Sequence, residues 1–142
     1  RYGGEPLYIA ADGKLLRTVI TNLLSNAIKY SPNRAAIRVT AERRGGRVLL
    51  RVADSGIGIP EKDRERLFYA FHRGSNVGSL AGTGLGLSIA KEFLTLMDGD
   101  ITFESTVGVG TTFEVSLPAQ AAISTESFRD VYDDATNTVG RR

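Results

Sequence analysis

Between residues 12 and 30 apolar side chains return every three or four positions, at Leu16, Val19, Ile20, Leu23, Leu24, Ala27 and Ile28. That is the period of a helix with one buried face. Asp12 stands where an N-cap belongs, and Ser31-Pro32-Asn33 closes the run, because a proline turns the residue before it away from helix. The pattern then changes to alternation. Over 36–41, Ile37, Val39 and Ala41 alternate with Arg38 and Thr40, which predicts a strand with one face buried. Arg44-Gly45-Gly46-Arg47 turns the chain, and 48–53 returns as the antiparallel partner. Residues 7–10 are short and apolar and read as an edge strand, and 61–67 reads as a charged helical turn or short helix. A second long helix follows residue 86, with Leu87, Ile89, Ala90, Phe93, Leu94 and Met97 on its buried side. Asp98-Gly99-Asp100 ends it, and strands over 101–105 and 111–117 flank the turn Val107-Gly108-Val109-Gly110. After Pro118 the periodicity fades. Residues 1–118 therefore read as one domain, and 119–142 as a tail, partly disordered or loosely helical.

Composition narrows the function without naming one. The chain has 142 residues, 42% of them hydrophobic and 24% charged, enough for a single domain with its own core. A formal charge of +2 gives no reason to expect nucleic acid as a partner. The absence of cysteine excludes disulfides and thiolate metal sites, and His72, the single histidine, excludes a multi-histidine site. No apolar run has the length of a membrane span, and no secretory signal is visible. Because the chain starts at Arg1 and its single methionine is Met97, it reads as a piece of a larger protein.

Candidate chemistry sits at four places. On the first helix Asn22 and Asn26 are four apart and Lys29 three further on, so they share one face with Tyr30 beside it. Asparagine is a mediocre helix former, and two within one helix ask for a reason. A metal-nucleotide complex supplies one: an amide oxygen can ligate Mg²⁺, an ammonium can meet phosphate, and a ring can pack on a base. Two solvated asparagines would look the same. Next, Asp54-Ser55-Gly56-Ile57-Gly58-Ile59-Pro60 ends a strand with a carboxylate and two glycines, either a close-approach loop or a plain glycine turn. Phe68 and Phe71 most simply anchor the following loop in the core, while His72, with no carboxylate or second histidine near it in sequence, is no base or ligand candidate by itself. Lastly, Gly82-Thr83-Gly84-Leu85-Gly86-Leu87 opens a helix, which presents unpaired N–H groups to an anion; a mobile hinge is the alternative. It is neither a P-loop nor a dinucleotide fingerprint, since no Gly-Lys-Ser/Thr follows and position 89 is Ile.

The ordered set of Asn helix, Asp-Gly-x-Gly, Phe pair, Gly-Thr-Gly-Leu-Gly-Leu and Gly-x-Gly-Thr-Thr, spanning about 7–117, resembles the ATP-binding catalytic domain of sensor histidine kinases. These belong to a superfamily with DNA gyrase and Hsp90-type chaperones. The resemblance implies an α+β, Bergerat-type fold: a two-layer α/β sandwich whose mixed β-sheet is covered on one face by three helices. It implies Mg²⁺ on Asn26 with Asn22 close by, Lys29 on phosphate oxygens and Tyr30 beside adenine. Asp54 would accept from the adenine amine, with Gly56 and Gly58 giving clearance and Ile59 lining the base. Gly82, Thr83, Gly84, Leu85, Gly86 and Leu87 would form the triphosphate loop, and Gly108, Gly110 and Thr111 would border the base. Phe68 and Phe71 would anchor a lid over about 72–83, with Arg73 near the phosphates when it closes.

In family terms the activity is transfer of the ATP γ-phosphate to a histidine on a separate helical dimerisation domain, for relay to a response regulator receiver domain. Asn26, Lys29 and Arg73 are then the residues nearest the chemistry, and ATP and Mg²⁺ are the ligands. The setting implied is cytoplasmic, with no membrane contact by this domain, whether or not the parent is membrane-anchored. Gyrase-type ATPases of the superfamily carry a glutamate base at the position of Asn22, so phosphotransfer is favoured over hydrolysis here. The acceptor histidine is absent from this stretch, whose one histidine is lid-side His72, so transfer is expected only when the helical domain is supplied. A nucleotide-binding switch without transferase activity and an anti-sigma-type serine kinase are the competing readings.

Overall fold

The computed structural model describes residues 6–31, 35–80 and 82–120. Its elements run α1 (Gly13–Tyr30), β1 (Arg38–Arg44), β2 (Arg47–Ala53), α2 (Glu61–Arg64), α3 (Gly86–Leu96), β3 (Asp100–Thr106) and β4 (Gly110–Pro118). The strands form one sheet in the order β1-β2-β4-β3, and every pairing in it is antiparallel. The architecture is α+β as the sequence implies, but the described sheet is antiparallel throughout where the resemblance implies a mixed one.

Asp12 caps α1 as the sequence predicts: its Oδ1 accepts from the N–H groups of Lys14 at 2.8 Å and Leu15 at 3.0 Å, a cap of the kind whose loss costs about 1 kcal/mol. Val19, Leu23 and Ala27 are its buried stripe. Ile28, expected on that stripe, is 68% exposed, although Leu24, one turn earlier on the same side of the helix, packs partly against the core. In α3, Ala90 and Leu94 are buried, with Met97 just beyond the helix end, and these meet α1's stripe and the sheet. The end of α3 is a Schellman arrangement in which Gly99 N–H donates to the Leu94 carbonyl at 2.7 Å and Asp98 N–H to that of Thr95 at 3.2 Å. Asp98 takes the left-handed conformation, φ 54°. Gly99 is needed for space, since a Cβ there would lie 2.8 Å from Leu117 Cδ2.

Register builds the core. Val48, Leu50 and Val52 of β2 face Leu117, Val115 and Phe113 of β4, and Val115 and Phe113 face Ile101 and Phe103 of β3, so one face of three strands is apolar. The other face carries Arg51 between Glu114, 2.5 Å away across β4, and Glu42, 3.0 Å away across β1. β1 departs from expectation: all its residues are exposed, and Val39, opposite buried Val52, is 49% exposed. α1 packs on β2 and α3 on β3, so the helical layer stops short of β1. Residues 7–10 make a single bridge, Ile9 to Ala119, rather than a strand. Gln120 N–H donates to the Tyr8 carbonyl at 2.8 Å, which ties down the first residues of the expected tail; the disorder expected for the remainder falls on 121–142, outside the described residues. No helix among the described residues is long and apolar enough to cross a membrane.

Candidate functional site

A cavity of about 520 Å³ lies among α1, the loop after β2, the 72–77 segment and the start of α3. One wall is the polar face of α1: Asn22, Ser25, Asn26, Lys29 and Tyr30 all line it. The helical spacing that keeps Val19, Leu23 and Ala27 in the core turns these side chains to the adjoining face. Lys29 Nζ stands 4.6 Å from the centre of the Tyr30 ring, a cation-π distance.

At another end stands Asp54, the residue with which β2 leaves the sheet. Its Oδ1 accepts from Gly56 N–H at 2.8 Å and Thr111 N–H at 3.3 Å, while Oδ2 has no hydrogen bond from the described residues. Burial pushes the Asp54 carboxyl above its ordinary range, and the two backbone donors pull the other way. Ile57, Gly58, Ile59, Thr111 and Phe113 complete this end.

The glycines around Asp54 act on backbone. A Cβ on Gly56 would stand 2.6 Å from the Tyr30 carbonyl oxygen, which accepts from Ile57 N–H. One on Gly58 (φ 71°) would stand 2.7 Å from the Thr106 carbonyl carbon, and one on Gly110 (φ 144°) 2.9 Å from that of Asp54. These three positions let the 54–58 loop lock between the end of α1 and the β3–β4 hairpin. Gly56, Gly108 and Gly110, expected around the base, are not among the lining residues.

The loop before α3 meets both walls. Gly82, Thr83, Gly84, Leu85, Gly86 and Leu87 line the cavity. Gly82 abuts Lys29 Nζ, and a Cβ on Gly86 would lie 3.3 Å from Asn22 Oδ1. α3 has no side-chain cap, and its first helical bond runs from Ile89 to the Leu85 carbonyl. The N–H groups of Gly86, Leu87 and Ser88 therefore remain available to an anion beside Lys29.

The Phe pair divides. Phe68 packs edge-on against Phe103, ring centres 6.0 Å apart, as an anchor should. Phe71 is 73% exposed with φ 63°, so it anchors nothing in the core; the segment is held there by backbone, Phe71 N–H donating to the Gly84 carbonyl at 3.0 Å. His72 and Arg73 line the cavity, and Arg73 donates to the Leu80 carbonyl.

Sequence reasoning missed Asp63, Ser75 and Asn76. Asp63 is buried, its Oδ2 accepts from both N–H and Oγ of Ser75 at 2.7 Å, and its Oδ1 lies 3.8 Å from His72 Nε2. Asn76 lines the cavity and its amide donates to the Gly58 carbonyl at 3.0 Å. Asp63 reads as one charge among many in its turn, and its partner is twelve residues away.

Residues 11–121 match the family described as Histidine kinase-, DNA gyrase B-, and HSP90-like ATPase, and the chain belongs to that family. It is 43% identical over 115 residues to the circadian input-output histidine kinase CikA of Synechococcus elongatus, covering 80% of this chain and 15% of CikA. Among solved structures it resembles the mycobacterial sensor histidine kinase MprB (TM-score 0.73, 28% identity, 79% of this chain and 77% of that one). It also resembles full-length ShkA in complex with AMPPNP (TM-score 0.70, 30% identity, 84% of this chain and 24% of that one). The chain thus spans only a small part of CikA and ShkA.

Proposed function

We propose that this chain binds Mg²⁺-ATP and presents its γ-phosphate to a histidine on a separate helical dimerisation domain, from which a response regulator receiver domain takes it. The carrying observation is convergence. The amides and ammonium of α1, the half-buried Asp54 carboxylate and the uncapped start of α3 all line one cavity. AMPPNP in the ShkA structure supports the nucleotide.

Asp54 accepts from the adenine amine through the oxygen its own backbone leaves free, and Tyr30, Ile57 and Ile59 flank the base. Lys29 and the N–H groups at the start of α3 hold phosphate oxygens. Among the described residues no group of three or more acidic or histidine side chains could hold a metal. Mg²⁺ fits all the same, because it keeps most of its waters and needs little beyond one amide and phosphate oxygens; Asn26 would hold it with Asn22 adjacent. Bound there, the ion would neutralise charge on the phosphates.

In the transfer, a histidine nitrogen forms the N–P bond as the bond from the γ-phosphorus to the β–γ bridging oxygen breaks, and ADP leaves. The domain's own task is to hold the phosphates in line and to spread developing charge over Lys29 and Arg73. Asp54 is the one carboxylate among the lining residues, so the α1 wall carries no base for water, which favours transfer over hydrolysis. The domain works in the cytoplasm, where ATP is supplied.

Calorimetric titration with ATP, with and without Mg²⁺ and alongside GTP, tests the pocket. Mg²⁺-dependent, adenine-selective binding is expected. Phosphate appearing on the histidine of a supplied helical domain then tests the transfer, and phosphate on serine would refute it.

A further inference from the structure

Asp63 lies outside the cavity, yet it is only 6% exposed. Burying a carboxylate is costly unless donors replace the lost water. Here both donors come from one residue of the lid segment: Ser75 gives its N–H and its hydroxyl to Oδ2, each at 2.7 Å. Oδ1 lies 3.8 Å from His72 Nε2, a buried nitrogen with no hydrogen-bond partner among the described residues. The same carboxylate thus stands beside the residue before Arg73 and is hydrogen-bonded to the second residue after it.

The segment is also fixed from other directions. A Cβ on Gly84 would stand 2.7 Å from the His72 carbonyl oxygen, so the triphosphate loop presses on the backbone just before Arg73. Asn76 donates to the Gly58 carbonyl at 3.0 Å and pins the following residue to the base end. Between these points Arg73 is exposed and lines the cavity. Arginine carries a long side chain with much rotamer freedom to lose. Fixing its backbone restricts where its charge can stand.

We propose that Asp63 is a positioning residue: by holding Ser75, with His72 alongside, it sets the path of the lid segment, and so the place of Arg73 at the phosphate end. The inference rests on the nucleotide reading above, and the two can fail separately. It makes a demand that a merely structural role does not. Loss of Asp63 should weaken the hold on the outermost phosphate, where Arg73 acts, and spare the rest of the nucleotide.

The test is calorimetry of the 142-residue chain with ADP and with a non-hydrolysable ATP analogue, both in Mg²⁺. Asp63→Ala should lose about tenfold in affinity for the triphosphate analogue, and less than about twofold for ADP. Ser75→Ala, which removes the hydroxyl and keeps the N–H, should lose less in the same direction. The deciding measurement is the double variant: if Asp63 acts through Arg73, Asp63→Ala with Arg73→Ala loses no more than Arg73→Ala alone. Additive losses, or equal losses for the two nucleotides, overturn the proposal. Should Asp63→Ala fail to fold, Ser75→Ala with Arg73→Ala completes the same cycle. If the unmodified chain binds neither nucleotide, the nucleotide reading falls first and this one with it.

Discussion

The Lys29 ammonium occupies the space in which a side chain on Gly82 would begin, since a Cβ there would overlap Nζ. The obstacle is the far end of a flexible side chain, so Gly82→Ala is accommodated by moving Lys29. Stability should change by less than about 0.5 kcal/mol. Affinity for ATP should fall several-fold while affinity for adenosine holds, because in the proposed function the displaced charge serves phosphate. Thermal melts and paired titrations with the two ligands check this.

Gly58 and Gly110 behave oppositely. Both have positive φ, and in both the obstacle is backbone: Thr106 for Gly58 and Asp54 for Gly110. Alanine at either position should destabilise by about 3 kcal/mol or more, through strain and a clash that no rotamer relieves. Urea unfolding should show the midpoint falling before any question of nucleotide affinity arises.

Asn26→Ala should leave the fold intact, because the side chain is half-buried on the cavity wall and makes no hydrogen bond to the described residues. The expected loss is specific: ATP affinity in Mg²⁺ drops to the value seen without it. A variant whose affinity still rises with Mg²⁺ would take Asn26 out of the metal's coordination.

Asp54→Asn should separate stability from selectivity. Burial raises the folded-state pKa of Asp54 above 3.8, so the folded chain holds this proton more tightly than the unfolded one. The group's contribution is then fullest below the unfolded value and is lost as pH rises through the raised folded one. Asparagine keeps an acceptor for Gly56 and Thr111 without the charge. The variant should therefore be more stable than its parent at neutral pH, with the gap closing in acid. ATP affinity should fall about tenfold, and discrimination against GTP should narrow.

Asp63 should contribute to the acid limb, together with Asp100, whose carboxyl Lys91 also holds below its ordinary range. The pKa of Asp63 is lowered, chiefly by the Ser75 N–H, from the ordinary 3.8. Its contribution is therefore present above that value and lost as pH falls through the depressed one. Unfolding followed from pH 6 to about pH 2 should steepen in that lower window, and Asp63→Asn should flatten it.

What sequence could show was set by the range of each interaction. The α1 stripe, the Asp12 cap, both hairpins and the polar face holding Asn22, Asn26 and Lys29 depend on neighbours within a turn or across a tight loop, and all were legible. β1 was misjudged because alternation reports which side a residue points to, while cover depends on how far the helical layer extends. Phe71 departs from expectation because an aromatic in an apolar setting usually packs, whereas here its backbone is left-handed at φ 63° and its ring is 73% exposed. Asp63 and Ser75 could not be paired from sequence, since they stand twelve positions apart with mostly irregular chain between them. Glycines 56 and 110 look like room left for a ligand, but that room is filled by the chain itself.

The interlock of 54–58 with the β3–β4 hairpin also bears on how such a pocket can change. At the end proposed for the phosphates the determinants are mostly side chains on a helix face, replaceable without disturbing the core, with backbone-bound Gly84 the exception. At the end proposed for the base they include backbone pressed against backbone, where a single added carbon destabilises the fold before it alters preference. A lineage drifting toward another base would have to travel through Asp54, Ile57 and Ile59, because the glycines between them leave no step to take.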